Sequence, residues 1–310
     1  MKKEILFSMP SPFRDTFHIT GYRFGQGAKS LAIVGAMRGD EIQQQYICAQ
    51  LVRQLARLEQ QGQLDGDQEI LVIPSVNPFS MNIEKRFWAM DGTDINRMFP
   101  GYDRGETTQR IAAALFEQIK GYTYGIQLAS FYISGDFVPH VRLMRTGYED
   151  TEGAKLFGMP YITLRKPLPF DTTLLNYNWQ LWGSKAFSIY AGQTSYVEDV
   201  TSRTTIDAML RFLSRVGVLT DTDTDEGVEP VVMDEAELVN VTADRAGIFY
   251  RLLGARSEVR RGDVLARILD PYCCEVLAEV KSPVDGTVFF AHNQPLALQH
   301  AIIYRILPKD

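Results

Sequence analysis

Leu31-Ala32-Ile33-Val34-Gly35-Ala36-Met37-Arg38-Gly39-Asp40-Glu41 is the stretch on which the fold turns. Its four leading apolar residues read as a buried strand, and Gly35 ends it. A helix is expected from near Asp40 to about Glu59, with Ile47, Leu51, Leu55 and Leu58 along one face. Gln60 to Asp67 is a polar loop with two glycines, and Ile70-Leu71-Val72-Ile73 is a second buried strand stopped by Pro74. Strand, helix and strand joined by short loops form the pattern of a parallel sheet. The turn itself carries Arg38, whose guanidinium is always charged and has no lone pair to give a metal.

The same reading extends outward. Arg104 to Lys120 is expected to be helical, with Ile111, Ala114, Leu115 and Ile119 on its apolar side. Gly125 to Ala129 and Ala186 to Ala191 read as further central strands, and Thr204 to Val216 as a closing helix. Thr220 to Gly227 is acidic, polar and without periodicity, a linker signature. Beyond it come short alternating strands at Gly247 to Leu253, Val264 to Leu269, Val276 to Val280, Thr287 to Phe290 and Ile302 to Ile306. The expected organisation is an α/β domain over 1–219, an acidic linker over 220–230 and a small all-β domain over 231–310.

The chain has 310 residues, 45% hydrophobic and 23% charged, ordinary for a globular protein. Its 32 Lys and Arg against 38 Asp and Glu give a net charge of −6, which disfavours general nucleic-acid binding. The longest apolar runs are of strand length, short of the roughly 20 residues needed to span a bilayer. Met1-Lys2-Lys3-Glu4 does not open a signal peptide. The expectation is a cytoplasmic protein with no nucleic-acid or membrane partner. Its three cysteines fit no structural disulfide: Cys48 sits in a helical pattern, and Cys273 and Cys274 are adjacent, so on a strand they would point to opposite faces.

One block has specific spacing: Asn77-Pro78, then Arg86-Phe87-Trp88, then Asp94-Ile95-Asn96-Arg97-Met98-Phe99-Pro100-Gly101. With the turn at Arg38 to Glu41 it resembles the succinylglutamate desuccinylase and aspartoacylase family. Arg261 to Leu265 and Ser282 to Gly286 resemble that family's C-terminal domain, and are also similar to lipoyl-type barrels, although no lysine sits in a Met-Lys-Met-like turn. The resemblance implies a three-layer α/β/α zinc-carboxypeptidase-like domain with a mixed, mostly parallel sheet, plus a small C-terminal all-β domain. It also implies that Arg86 polarises a scissile carbonyl and that Asn96 and Arg97 grip a substrate carboxylate. Two guanidiniums and an amide near a strand end form a fork-shaped anion site in any case. The competing reading of Arg97 is a loop staple to Asp94.

The family's zinc site is largely missing. Its first turn supplies a His and a Glu; here Glu41 remains and Arg38 stands in the place of the His. Its second His comes from a later strand end, where this chain has Ala129, and its catalytic Glu matches Tyr190 in Tyr190-Ala191-Gly192. Phenol, with a pKa near 10, is a poor base at neutral pH. A guanidinium about 4 Å from a divalent ion would repel it by roughly 8 kcal/mol at an effective dielectric near 20. A salt bridge between Arg38 and Glu41, with the guanidinium in the cation's place, is the more natural arrangement. A replacement site from Glu41, Asp136 and His140 is the remaining route to a metal. Arg142 and Arg145 either form a solvated strand end or widen the anion pocket, which Tyr132, Tyr190 and Trp88 would line.

These residues imply a divergent family member without resident cofactor, inactive as a zinc hydrolase. It would bind a small carboxylate or acyl-amino-acid ligand, or pair with an active homologous subunit. The alternative is an active deacylase that cleaves an N-acyl amino acid with zinc held by rearranged ligands.

Overall fold

The computed structural model describes residues 1–220 and 224–309. The strand Ala28–Ala36 lies at the centre of a thirteen-stranded mixed sheet. It pairs in parallel with Gln68–Ser75 on one side and Tyr124–Ala129 on the other, and Lys185–Gly192 adds a fourth parallel strand. Alternation along these strands divides the core in two. Leu31, Ile33, Ile70 and Val72 face the helices Ile42–Gln60 and Asp199–Arg215. Ala32, Val34, Leu71 and Ile73 face the opposite layer, with Thr107–Ile119 and Leu175–Leu181. This is the expected α/β class, with helices on both faces of a sheet that is parallel through its centre.

The expected helices form with shifted ends. Thr107–Ile119 is closed by a capping box between Glu106 and Gln109. Asp199–Arg215 begins five residues before the apolar period that announced it at Thr204. Its first turns are rich in hydroxyls that bond back to the helix: Ser202 Oγ donates to the Glu198 carbonyl (2.7 Å) and Thr205 Oγ1 to that of Thr201 (2.7 Å).

The C-terminal strands do not stand apart from the sheet. Gly286–His292 pairs antiparallel with Gly135–Met144, which itself pairs antiparallel with Lys185–Gly192. Ile302–Pro308 and Val239–Thr242 continue the sheet beyond it. Tyr161–Arg165 pairs in parallel with both Gly135–Met144 and Val231–Asp234. Glu258–Val259 pairs with Gly286–His292 in the large sheet, while Val276–Lys281, Val264–Leu269, Gly247–Arg251 and Leu296–Ala297 form a separate four-stranded sheet. Of the expected linker, residues 221–223 lie outside the described residues. The part that follows is tied to the last helix: Arg211 Nε donates to the Asp225 carbonyl (2.8 Å) and Arg215 Nη2 to that of Glu226 (2.7 Å).

Cys273 and Cys274 are free and exposed, and they sit in the turn between two strands rather than on a strand. Cys48 is buried. Among the described residues, no helix is long and apolar enough to cross a membrane.

Candidate functional site

The turn after the central strand is organised by one carboxylate. Glu41 Oε2 accepts from the backbone N–H of Met37 (2.9 Å) and of Arg38 (3.0 Å), which folds Arg38 back over its own loop. Gly39 is required here, because a Cβ would come within 2.2 Å of the Lys85 carbonyl oxygen. The Arg38 side chain is only 4% exposed. Its Nη1 donates to Glu41 Oε1 (3.1 Å) and to the Ser130 carbonyl (3.2 Å). Its Nη2 donates to Asp94 Oδ2 (2.8 Å) and its Nε faces the same carboxylate. Ser130 Oγ also donates to Glu41. A cation thus sits on Glu41, and it is the protein's own guanidinium. Burial opposes its charge, but Asp94 and Glu41 outweigh burial and hold its pKa above the ordinary arginine value.

The residues expected at the remaining metal and catalytic positions have other partners. Ala129 packs with Phe137, Tyr190 and Phe290, and Phe131 closes the cluster. Tyr190 Oη accepts from Arg142 Nη1 (2.6 Å). His140 is buried, its Nδ1 is engaged with the Val138 carbonyl (2.7 Å), and its ring stacks on Tyr190 at 4.9 Å. Asp136 lies among Arg251, Arg256 and the Ala255 backbone. Glu41, Asp136 and His140 therefore do not converge. Among the described residues, no group of three His, Cys, Asp or Glu side chains is arranged to hold a metal ion. The donor set does not fit zinc, which needs about three protein ligands with lone pairs directed at one point.

A cavity of about 320 Å³ opens beside this turn. Arg38, Asn96, Arg97, Arg142 and Tyr190 line it, so most of the expected site residues converge. Arg86 is placed elsewhere and corrects the expectation that it faces a ligand. Its Nη1 donates to both Asp40 oxygens (2.8 and 2.6 Å) and to Ser134 Oγ (3.2 Å). Its Nε donates to the Tyr132 carbonyl (3.0 Å), and its Nη2 to Ser130 Oγ (3.0 Å) and the Phe131 carbonyl. With all five N–H groups used, Arg86 staples the 130–134 loop. Trp88 likewise packs in the core against Phe17 and Phe79. Arg145 pairs with Asp234 at the surface (2.7 Å).

Asn96 Oδ1 accepts from Gln127 Nε2 (3.1 Å), which orients the amide at the cavity wall. Arg97 Nη1 donates to the Phe170 carbonyl (3.2 Å). Its Nε is 3.7 Å from Asp94 Oδ2, beyond hydrogen bonding, so the expected staple is weak because Arg38 has taken that carboxylate. Arg97 Nε is buried without a hydrogen-bond partner, while the guanidinium lies between the rings of Tyr132 and Phe170.

Four charged lining residues escaped the sequence reading: Arg165, Asp171, Glu235 and Arg305. Glu235 Oε1 accepts from Arg305 Nη1 (2.6 Å) and Arg165 Nη1 (3.3 Å). Arg142 Nε lies 3.0 Å from Glu235 Oε2, but off the hydrogen-bonding direction, so both atoms are buried without such a bond. Arg165 is also held by Asp171 (2.9 Å). Burial would raise the Glu235 pKa, yet Arg142, Arg305 and Arg165 hold it down at about 2. A carboxylate so strongly stabilised is a poor general base at neutral pH.

The chain belongs to the succinylglutamate desuccinylase/aspartoacylase family: the model of that family's catalytic domain matches residues 27–214. No curated protein matches the sequence. Among solved structures, a succinylglutamate desuccinylase from a Silicibacter species is similar at 17% identity, with a TM-score of 0.83 over 98% of this chain and 94% of that one. The product-bound ectoine utilization protein EutE (DoeB) from Ruegeria pomeroyi is similar at 20% identity, TM-score 0.79, over 96% and 93% of the two chains. A succinylglutamate desuccinylase/aspartoacylase from Rhodobacter sphaeroides gives 21%, 0.77, 95% and 90%. At these identities the likeness speaks for the fold, which extends over the C-terminal strands as well as the catalytic domain.

Proposed function

We propose that this chain is a family member that has given up zinc-dependent amide hydrolysis and retains an anion pocket for a small carboxylate. The single observation that carries this reading is the Arg38 guanidinium bonded to Glu41, Asp94 and Ser130. Zinc catalysis requires an open coordination position at which a water is acidified. On this reading Arg38 neutralises Glu41, and Asn96, Arg97 and Arg142 present donors to a ligand carboxylate. Among the described residues the remaining donor atoms lend no support to a rearranged metal site, which speaks for this reading over the deacylase alternative.

The test is metal content by mass spectrometry on the purified protein, together with calorimetric binding of acetate and succinate and an amidase assay. The expected result is zinc far below one equivalent, no chelator-sensitive hydrolysis, and carboxylate binding that Arg97→Gln weakens about tenfold or more. One equivalent of bound zinc with hydrolysis abolished by a chelator would overturn the reading.

A further inference from the structure

We infer that the pocket selects an amphiphilic monoanion, a ligand with one carboxylate on an aromatic body, over a dicarboxylate or a phosphate. The inference rests on the anion-binding reading above and narrows it. Its ground is charge balance. Arg38, Arg97, Arg142, Arg165 and Arg305 line the cavity. Four carboxylates stand against them. Glu41 and Asp94 hold Arg38, and Asp171 holds Arg165. Glu235 serves Arg142, Arg165 and Arg305 together. One positive charge is left over.

Arg38 and Arg97 are matched by Glu41 and Asp94, so the excess falls on Arg142, Arg165 and Arg305, which share Glu235 and Asp171. The Nε atoms of Arg97 and Arg142 are both buried at this wall without a hydrogen-bond partner. One ligand carboxylate would balance the excess. A second would enter a confined space with no positive charge left to balance it, and would meet Glu235 and Asp171 as like charges. The rest of the wall favours carbon: Phe131, Ile133, Leu174, Phe290 and Ile302 face the cavity, with the exposed Tyr132 at its edge. A volume of about 320 Å³ is near the lower end of small-molecule sites, which suits an aryl ring with a short chain.

A matched set of three probes tests this by isothermal titration calorimetry on the full chain at about pH 8, where every carboxyl is ionised. The probes are 3-phenylpropionate, phenylsuccinate and propionate. Phenylsuccinate carries the aryl body and a second carboxylate, whereas propionate lacks the ring. The expected result is that 3-phenylpropionate binds about tenfold or more tighter than either of the others. Equal or tighter binding of phenylsuccinate, or equal binding of propionate, overturns the monoanion inference while leaving an anion pocket in place. If none of the three binds, and acetate and succinate also fail, the proposed function falls with it. Glu235→Gln removes one carboxylate and is expected to shift the preference toward phenylsuccinate by about tenfold. An unchanged preference in a folded variant would count against the charge-balance argument, and the wild-type series decides the matter if that variant does not fold.

Discussion

Arg38 gathers Glu41, Asp94 and Ser130 around one positive centre. The consequence can be measured. Arg38→Met keeps the bulk of the side chain but leaves buried Glu41 without its cation and Asp94 with only the longer contact to Arg97. Removing one partner of a buried ion pair costs about 3–5 kcal/mol, most of it from the charge left behind. The urea midpoint of the variant is therefore expected to fall by that equivalent with little change in slope. If the midpoint stays where it is in the wild type, the guanidinium is not the centre of the cluster. At this scale the sequence was informative for a simple reason. An always-charged guanidinium three residues from a carboxylate in one turn announces an ion pair, and the structure has it. The stapling by Arg86 was not legible, because its partners come from Asp40 and from the distant 130–134 loop.

Gly135–Met144 is the element that joins the two halves of the molecule, since Lys185–Gly192 lies on one side of it and Gly286–His292 on the other. Its first residue matters. A Cβ at Gly135 would fall within 2.0 Å of the Phe290 ring, which packs on Phe131 and Phe137. Gly135→Ala is expected to cost about 1–3 kcal/mol by overpacking. It should also speed hydrogen exchange at 286–292 ahead of the central strands, and exchange that changes equally everywhere would contradict this account. The central strands and the helices on them were readable because their apolar residues run continuously or with a helical period. Gly135–Met144 was not read as a strand, as Pro139, His140 and Arg142 interrupt its apolar run. Arg142, Arg165 and Arg305 each stand alone in apolar strands, and an arginine in that setting signals a buried partner. The partner itself, Glu235, sits in Asp234-Glu235-Ala236-Glu237, which reads as an ordinary solvated acidic run.

Over the whole molecule the pocket depends on both halves of the chain, because Glu235, Phe290, Ile302 and Arg305 complete walls begun by Arg97 and Arg142. A fragment of residues 1–219 would lose one of the three strand partners of Gly135–Met144 and the carboxylate that faces Arg142. It is expected to lack a cooperative thermal transition by circular dichroism, whereas an independent domain would melt sharply. The same buried network sets how the intact protein responds to acid. Burial pushes His140 down to about 4, against an ordinary 6.5. The three arginines hold Glu235 at about 2 against an ordinary 4.5, despite its burial. In both cases the unfolded chain binds the proton at a higher pH than the folded one, so stability must fall as pH falls. The loss runs from about pH 6.5 to 4 for His140 and from about 4.5 to 2 for Glu235. Each shift corresponds to roughly 3 kcal/mol once its window has been crossed. Unfolding free energies from urea titrations across this range should thus decline in two overlapping steps. His140→Gln is expected to flatten only the upper step and Glu235→Gln only the lower. A wild-type profile that stays level between about pH 6.5 and 4 would mean that His140 is already protonated in the fold, at odds with its place against Tyr190 and the arginines beyond it.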